Sequence, residues 1–133
     1  MDTPCYCAAL RAAARKSTAL YDEALAPAGI GIAQFSLMQR IRRAGAAVPL
    51  SDLARLAELD RSTVGRNVKV LERMGLVTEV AGEDRRETAV ALTEAGRAAI
   101  RRAWPLWQEA QRRVEAALGE SAAGSLRTLA LTL

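Results

Sequence analysis

The chain has 133 residues, of which half are apolar and 26% are charged, so it can bury one core and is not a wholly disordered protein. It contains no histidine, which excludes catalytic sites with a histidine base and metal sites with histidine ligands. Basic residues outnumber acidic ones by 19 to 15, and 17 of the basic residues are arginines, a balance that permits a polyanionic partner.

Two helices are predicted at the start of the chain. Apolar residues fall at helical spacing from Cys5 to Leu25. Pro27 should end this helix because proline has no backbone donor and restricts the residue before it. A second amphipathic pattern runs from about Ile32 to Arg43, and Gly45 follows it as a typical helix terminator.

Two shorter helices follow, separated by a brief turn. Ser51 is expected to be the N-cap of the first, which carries several leucines and alanines. Asp60 is a suitable N-cap for the second, which continues to Met74 and is followed by Gly75. The spacing therefore predicts a helix-turn-helix.

The pattern then changes from helical to extended. Residues 76–80 and 87–92 predict two strands joined by the polar segment 82–86, which together form a hairpin. Thr93, with Glu94 after it, is expected to open a long helix with an apolar stripe from Ile100 to Leu118. Gly119 interrupts this stripe, and a last short helix is predicted beyond it.

Several motifs in this order resemble the MarR (multiple-antibiotic-resistance regulator) family. They are the segments SDLARLAELDRSTVGRNV at 51–68, LERMGLV at 71–77, DRR at 84–86 and LTEAG at 92–96. The resemblance implies a mainly α fold with a small β-wing, a winged helix-turn-helix flanked by N- and C-terminal dimerisation helices. The expected parts are an N-terminal dimerisation helix at 1–30, a DNA-binding domain at 31–95 and C-terminal dimerisation helices at 96–133.

The helix after Asp60 has the residues that a DNA-recognition helix requires. Arginine suits guanine edges and asparagine suits adenine, and such helices read bases with their first turns. The alternative is an ordinary amphipathic helix with a solvated polar face. The candidate DNA-binding residues here are Arg61, Ser62, Thr63, Arg66, Asn67 and Lys69.

The predicted wing adds Asp84, Arg85 and Arg86 to the candidate DNA-binding residues. The segment around them is net acidic, so it would not bind phosphate as a broad patch, but one extended arginine can enter a narrow minor groove. By resemblance, Arg86 is that residue, and Asp84 would orient Arg61 or Arg66. The alternative is that Arg85 and Arg86 only neutralise acidic neighbours in the hairpin.

A homodimer is expected for two reasons. Helix-turn-helix proteins generally read two half-sites of a pseudo-palindromic operator, which requires two-fold symmetry. In addition, the first helix and the stripe from Ile100 to Leu118 have more apolar surface than one small domain can cover. Trp104 and Trp107 could line a ligand pocket, or they could belong to the core or the dimer interface.

Cys5 and Cys7 are the candidate sensor residues. A thiol near a helix N-terminus is favoured as thiolate, and Cys7 falls where the hydroperoxide-sensing branch of the family has its reactive cysteine. That branch has tyrosines in the second helix where this chain has Ile32 and Phe35, which cannot donate a hydrogen bond. The open alternatives are oxidation, an intersubunit disulfide, capture of a soft metal or electrophile, and no role.

Together these features predict a sequence-specific DNA-binding transcription regulator, a repressor released by a small-molecule inducer or by thiol oxidation. The competing hypothesis is a winged-helix module that docks on another protein and does not bind DNA. No enzymatic activity, cofactor or metal site is expected. The chain has neither a membrane-length apolar run nor a secretion signal at its start, so a cytoplasmic protein without a membrane partner is expected.

Overall fold

The computed structural model describes residues 3–82 and 86–133, which form six α-helices and a three-stranded antiparallel sheet. The element order confirms the predicted mainly α, winged helix-turn-helix fold. The helices are α1 (Tyr6–Leu25), α2 (Ile32–Ala44), α3 (Leu50–Ala57), α4 (Arg61–Arg73), α5 (Glu94–Leu118) and α6 (Glu120–Thr132), and the strands are β1 (Val48–Pro49), β2 (Val77–Ala81) and β3 (Thr88–Leu92).

The predicted helix ends are confirmed where a local signal sets them. After α1, Pro27 lies in a single 3-10 turn, and the chain then turns into α2. Gly45 and Gly75 follow α2 and α4 with φ of 74° and 76°, a left-handed conformation that costs glycine little. Asp60 is the N-cap residue of α4, as predicted, although its side chain makes no capping hydrogen bond.

The core lies between α2, the helix-turn-helix, the sheet and the first half of α5. Each of these elements contributes an apolar face with the period of its own secondary structure. The side chains that are most completely buried are Leu25, Met38, Leu53, Val64, Val68, Leu71 and Val90. The positions of α3 and α4 relative to the sheet therefore depend on a shared apolar core.

The sheet has the strand order β1-β3-β2. β2 and β3 form the predicted hairpin, in which Val77 pairs with Leu92. β1 was not predicted; it pairs with the other edge of β3 through Val48 and Val90. As a result the prediction that Ser51 is the N-cap of α3 is wrong, because the helix starts at Leu50, directly after the strand.

The terminal helices are poorly covered by the rest of the protomer. Leu25 is the only buried residue of α1 and Ala123 the only one of α6. Large apolar side chains on these helices are exposed, with Tyr6 at 78% and Leu126 at 53% of their full accessible area. Within the described part of the chain, no helix has both the length and the apolar character that crossing a bilayer would require.

Candidate nucleic-acid interface

α4 has one buried and one exposed face. Val64, Val68 and Leu71 lie at helical spacing and are buried in the core. The helix is attached to α3 by a tight turn in which Leu59 N–H donates to the Ala54 carbonyl at 3.0 Å. The buried stripe and this turn orient the opposite face of α4 toward solvent.

The structure divides the six candidate residues on α4 between that outer face and its edges. Arg61, Ser62, Arg66 and Lys69 are exposed, whereas Thr63 and Asn67 are half-buried. Arg66 Nη2 donates to Thr63 Oγ1 at 3.3 Å, which directs this guanidinium along the helix. Among residues 3–82 and 86–133, no carboxylate lies within 4.0 Å of the guanidinium of Arg61 or Arg66. Their charges are therefore not compensated by a direct ion pair in this part of the chain.

Lys69 connects α4 with the wing. Its ammonium lies 2.9 Å from a carboxylate oxygen of Glu79 on β2. The hydrogen bond to Glu79 raises the pKa of Lys69, and the negative charge of Glu72 raises it further. Lys69 therefore already has an anionic partner, which the sequence prediction of Lys69 as a DNA contact did not include.

Asn67 lies on the opposite flank of α4. Two residues along an α-helix differ in direction by about 200°, so Asn67 and Lys69 point away from each other. Asn67 lines a cleft of about 320 Å³ together with the end of α1 and the first turn of α2. In this cleft Ile32 N–H donates to Asp22 Oδ1 at 2.8 Å, so a carboxylate of α1 caps α2.

On the wing, the structure describes one of the three predicted residues. Arg86 is exposed and directly precedes the half-buried Glu87. Asp84 and Arg85 lie outside the described residues. Gly82 N–H donates to the Glu87 carbonyl at 3.2 Å, and the Glu87 carboxylate accepts a hydrogen bond from the Ser51 hydroxyl. The wing is therefore connected to both helices of the helix-turn-helix, to α3 through Ser51 and to α4 through Lys69.

A close junction joins the end of α4 to the start of α5. Thr93 Oγ1 donates to the Gly75 carbonyl at 2.7 Å and accepts from Gly96 N–H at 3.0 Å, which confirms Thr93 as a helix cap. Thr93 N–H donates to the Leu76 carbonyl at 3.1 Å. A Cβ on Gly96 would lie 2.1 Å from that same carbonyl oxygen, so only glycine fits there. The LTEAG motif contains Gly96, but this steric role was not predicted from the sequence. The signal that could have shown it is a glycine within the first turn of a helix, where glycine is less favourable than alanine.

The two tryptophans lie in an aromatic cluster between α2 and α5. The rings of Trp104 and Trp107 are stacked with centroids 5.1 Å apart, and Phe35 lies 6.0 Å from Trp107. The buried Gln39 amide accepts from Arg42 Nε at 2.6 Å. The cluster borders a cleft of about 140 Å³ whose lining residues are Phe35, Ser36, Gln39, Arg40, Arg43, Trp104 and Trp107.

Cys5 and Cys7 are both free and exposed. Cys5 directly precedes α1 in an extended conformation, and Cys7 lies in the first turn of the helix. Of the two α2 positions compared with the peroxide-sensing branch, Phe35 is buried in the aromatic cluster, and Ile32 begins the helix. Both thiols are therefore accessible to small oxidants.

Comparison with known proteins places this geometry among DNA-binding regulators. Residues 33–96 match a family model described as a winged helix DNA-binding domain. A comparison with curated proteins finds no match.

Three solved structures are similar over nearly the whole chain. The M. tuberculosis transcriptional regulator MosR, crystallised in complex with DNA, is 37% identical with a TM-score of 0.87; the match covers 97% of this chain and 93% of MosR. A mutant of E. coli MarR complexed with operator DNA is 25% identical with a TM-score of 0.83 and coverages of 92% and 89%. A probable transcriptional regulator from Pseudomonas aeruginosa is 27% identical with a TM-score of 0.82, and 92% of each chain is covered.

Proposed function

Because this chain belongs to the MarR family of winged-helix transcription regulators, we propose that it binds a pseudo-palindromic operator as a homodimer and acts as a repressor. In this proposal residues 31–95 bind DNA, and residues 1–30 and 96–133 hold the two protomers together. The chain acts by binding and not by catalysis, as its regulator relatives suggest. This function implies a location with the DNA, in the cytoplasm.

The observation that carries this proposal is the outer face of α4. Arg61, Ser62 and Arg66 are exposed there, and the two guanidiniums have no carboxylate within ion-pair distance among the described residues. Arginine forms bidentate hydrogen bonds with guanine edges, and these two guanidiniums break no ion pair with a described residue when they bind DNA. In this proposal Thr63 and Asn67, at the edge of this face, contact the same groove, and Arg86 enters the adjacent minor groove.

The exposed terminal helices support the homodimer. α1 and α6 together bury only Leu25 and Ala123 in one protomer, and they expose Tyr6, Leu10 and Leu126. Apolar helix faces of this extent are characteristic of protein interfaces. A second copy of the chain would cover them and would place two α4 helices on one side of a duplex.

The function can be tested with DNA selected from a random duplex library by the purified protein. Binding through 6–10 phosphates should weaken by about 10³-fold or more between about 50 and 200 mM salt. Sedimentation of the free protein should give the mass of two chains. If the library yields no enriched duplex and the protein binds none at low salt, the alternative of a protein-docking module is favoured.

The wing residue Arg86 can be tested with the same selected duplex. Arg86→Ala should weaken binding to the selected and to a random duplex by about tenfold each, because a contact in a narrow minor groove depends mainly on electrostatic potential. Arg102→Ala, at an exposed position of α5, is the matched control and should leave both affinities unchanged. Equal binding by Arg86→Ala and the parent would contradict the assigned role.

Release of the protein from DNA has two candidate triggers: a small molecule bound beside Trp104 and Trp107, or oxidation of Cys7. The cleft beside Trp104 and Trp107 has arginines at its border, which fits a small planar anion. Its volume of about 140 Å³ is below the ~300–1,000 Å³ of typical ligand pockets, so only a small ring would fit. The exposed thiols offer the second route, in which hydrogen peroxide oxidises Cys7 to a sulfenic acid and is reduced to water.

Peroxide treatment distinguishes the two routes. If Cys7 is the sensor, peroxide should release the parent protein and the Cys5→Ser variant from the selected duplex, and a reductant should restore binding. The Cys7→Ser variant should stay bound. If Cys7→Ser is released like the parent, the thiol route fails, and the cleft remains as the candidate inducer site.

A further inference from the structure

Gly65 lies in the interior of α4, four residues from its first residue and eight from its last. Glycine at such a position destabilises a helix relative to alanine, because its backbone loses more conformational freedom on folding. The described glycines with a left-handed φ are Gly29, Gly45, Gly75 and Gly119. Gly65 is not among them, so its backbone conformation does not require glycine.

Internal packing does not require glycine at this position either. A Cβ built on Gly65 has no described atom within 4 Å. Gly96 shows the contrasting case, since its Cβ would collide with the Leu76 carbonyl. The described part of the protein therefore has room for a side chain at Gly65.

The open space at Gly65 lies on the flank of α4 that faces the wing. Residues four apart in a helix lie on the same side, so Gly65 lies between Arg61 one turn before and Lys69 one turn after. The Lys69 ammonium pairs with Glu79 of β2 at 2.9 Å, which shows where this flank points. The space thus has Arg61 at one end and the Lys69–Glu79 ion pair, which connects α4 to β2, at the other.

We propose that Gly65 is the position where the sugar-phosphate backbone of the DNA passes between α4 and the wing. The inference rests on the proposed function, in which α4 enters the major groove and Arg86 the adjacent minor groove. One sugar-phosphate strand separates those two grooves, and it must therefore cross the space between the helix and the hairpin. A glycine lets this strand approach the helix backbone, and Arg61 on the same flank supplies positive charge.

The test compares Gly65→Ala with Gly124→Ala. Gly124 is also inside a helix, α6, and within one protomer a Cβ there has no described atom within 4 Å. Because α6 belongs to the proposed dimer region, sedimentation should give the mass of two chains for Gly124→Ala, for Gly65→Ala and for the parent, so that affinities are compared between equal assemblies. Both variants should melt a few degrees above the parent at equal protein concentration, because alanine is the better helix former. Only Gly65→Ala should lose DNA affinity, by at least about fivefold, and Gly65→Gln should lose more.

The DNA probes are the duplex selected by the parent protein and a random duplex of the same length. Because every duplex has the same backbone, Gly65→Ala should weaken binding to both probes by a similar factor. Unchanged affinity, a loss confined to the selected duplex, or a lowered melting temperature would each overturn the proposal. The two failures can be told apart by the parent protein. If the parent binds neither probe, the proposed function itself fails; if the parent binds DNA and Gly65→Ala binds equally well, only the proposal for Gly65 fails.

Discussion

The junction between the recognition helix and α5 makes a strong prediction for Gly96→Ala. The new methyl group would lie 2.1 Å from the Leu76 carbonyl oxygen and 3.2 Å from a methyl carbon of Leu92. Real Cβ atoms essentially never approach another heavy atom within 3.0 Å, so the carbonyl and the methyl must separate by about 1 Å. The carbonyl belongs to the backbone next to β2, and the methyl group is attached directly to the backbone of α5, so neither can rotate away as the end of a flexible side chain would.

The expected cost follows from three contributions. Forcing a methyl group into a filled space costs about 1–3 kcal/mol. Moving the Leu76 carbonyl also weakens the hydrogen bond from Thr93 N–H, at 3.1 Å, which contributes about 1 kcal/mol. The better helix propensity of alanine returns up to about 1 kcal/mol. The free energy of unfolding should therefore fall by about 2 kcal/mol, which for a chain of this size lowers the melting temperature by roughly 6–10 °C.

Thermal unfolding followed by circular dichroism measures this effect, with Gly124→Ala as the control. The control makes the same chemical change inside a helix but meets no described atom within 4 Å. It should melt a few degrees above the parent protein at equal protein concentration, because alanine is the better helix former. A Gly96→Ala variant that melts with the control would show that the start of α5 does not pack on the Leu76 backbone, and the reasoning about this junction would be refuted.

Two further predictions concern capping and pH. Asp22→Ala should lower the free energy of unfolding in urea by about 1 kcal/mol, because Ile32 N–H loses its acceptor; Asp22→Asn keeps an acceptor and should lose less, and equal losses would contradict the capping role. The free energy of unfolding should also fall as the pH rises above about 10. In the folded protein the hydrogen bond to Glu79 raises the pKa of Lys69 above its ordinary 10.5. Burial and the negative charge of Glu115 raise the pKa of Tyr21 above its ordinary 10.0. Below these pKa values Lys69 is protonated and Tyr21 is neutral in both the folded and the unfolded state, so the free energy of unfolding has its full value. At higher pH the unfolded chain releases these protons more readily than the folded protein, which favours unfolding and lowers the free energy of unfolding. Melting temperatures between pH 9 and about 11.5 should fall less steeply in Tyr21→Phe and Lys69→Gln than in the parent, and identical slopes would refute the assignment.

The elements that the sequence predicts well are those with a local signal. α1 ends before Pro27, α4 ends before Gly75 and α5 begins after Thr93, and each of these residues acts on its immediate neighbours. β1 has no such signal, because two residues are too few to show a period. Its pairing depends on Val90, which lies 42 positions further along the chain, and α3 begins at Leu50, directly after this strand.

The same distinction applies to the candidate site. Helical periodicity predicts which residues of α4 point outward, because burial of Val64, Val68 and Leu71 fixes the direction of the rest. It does not predict the partners of those residues, which depend on how the hairpin is placed against the helix.

Lys69 shows why this matters for function. From the sequence it is one more basic residue for phosphate, but in the fold it pairs with Glu79 and connects α4 to β2. A phosphate that took the place of Glu79 would leave a carboxylate next to the DNA without its counter-charge, which costs binding energy. If the chain binds DNA as proposed, we therefore expect Lys69 to neutralise Glu79 and position the wing. We expect the direct contacts from Arg61 and Arg66, whose guanidiniums have no carboxylate within 4.0 Å in the described segments.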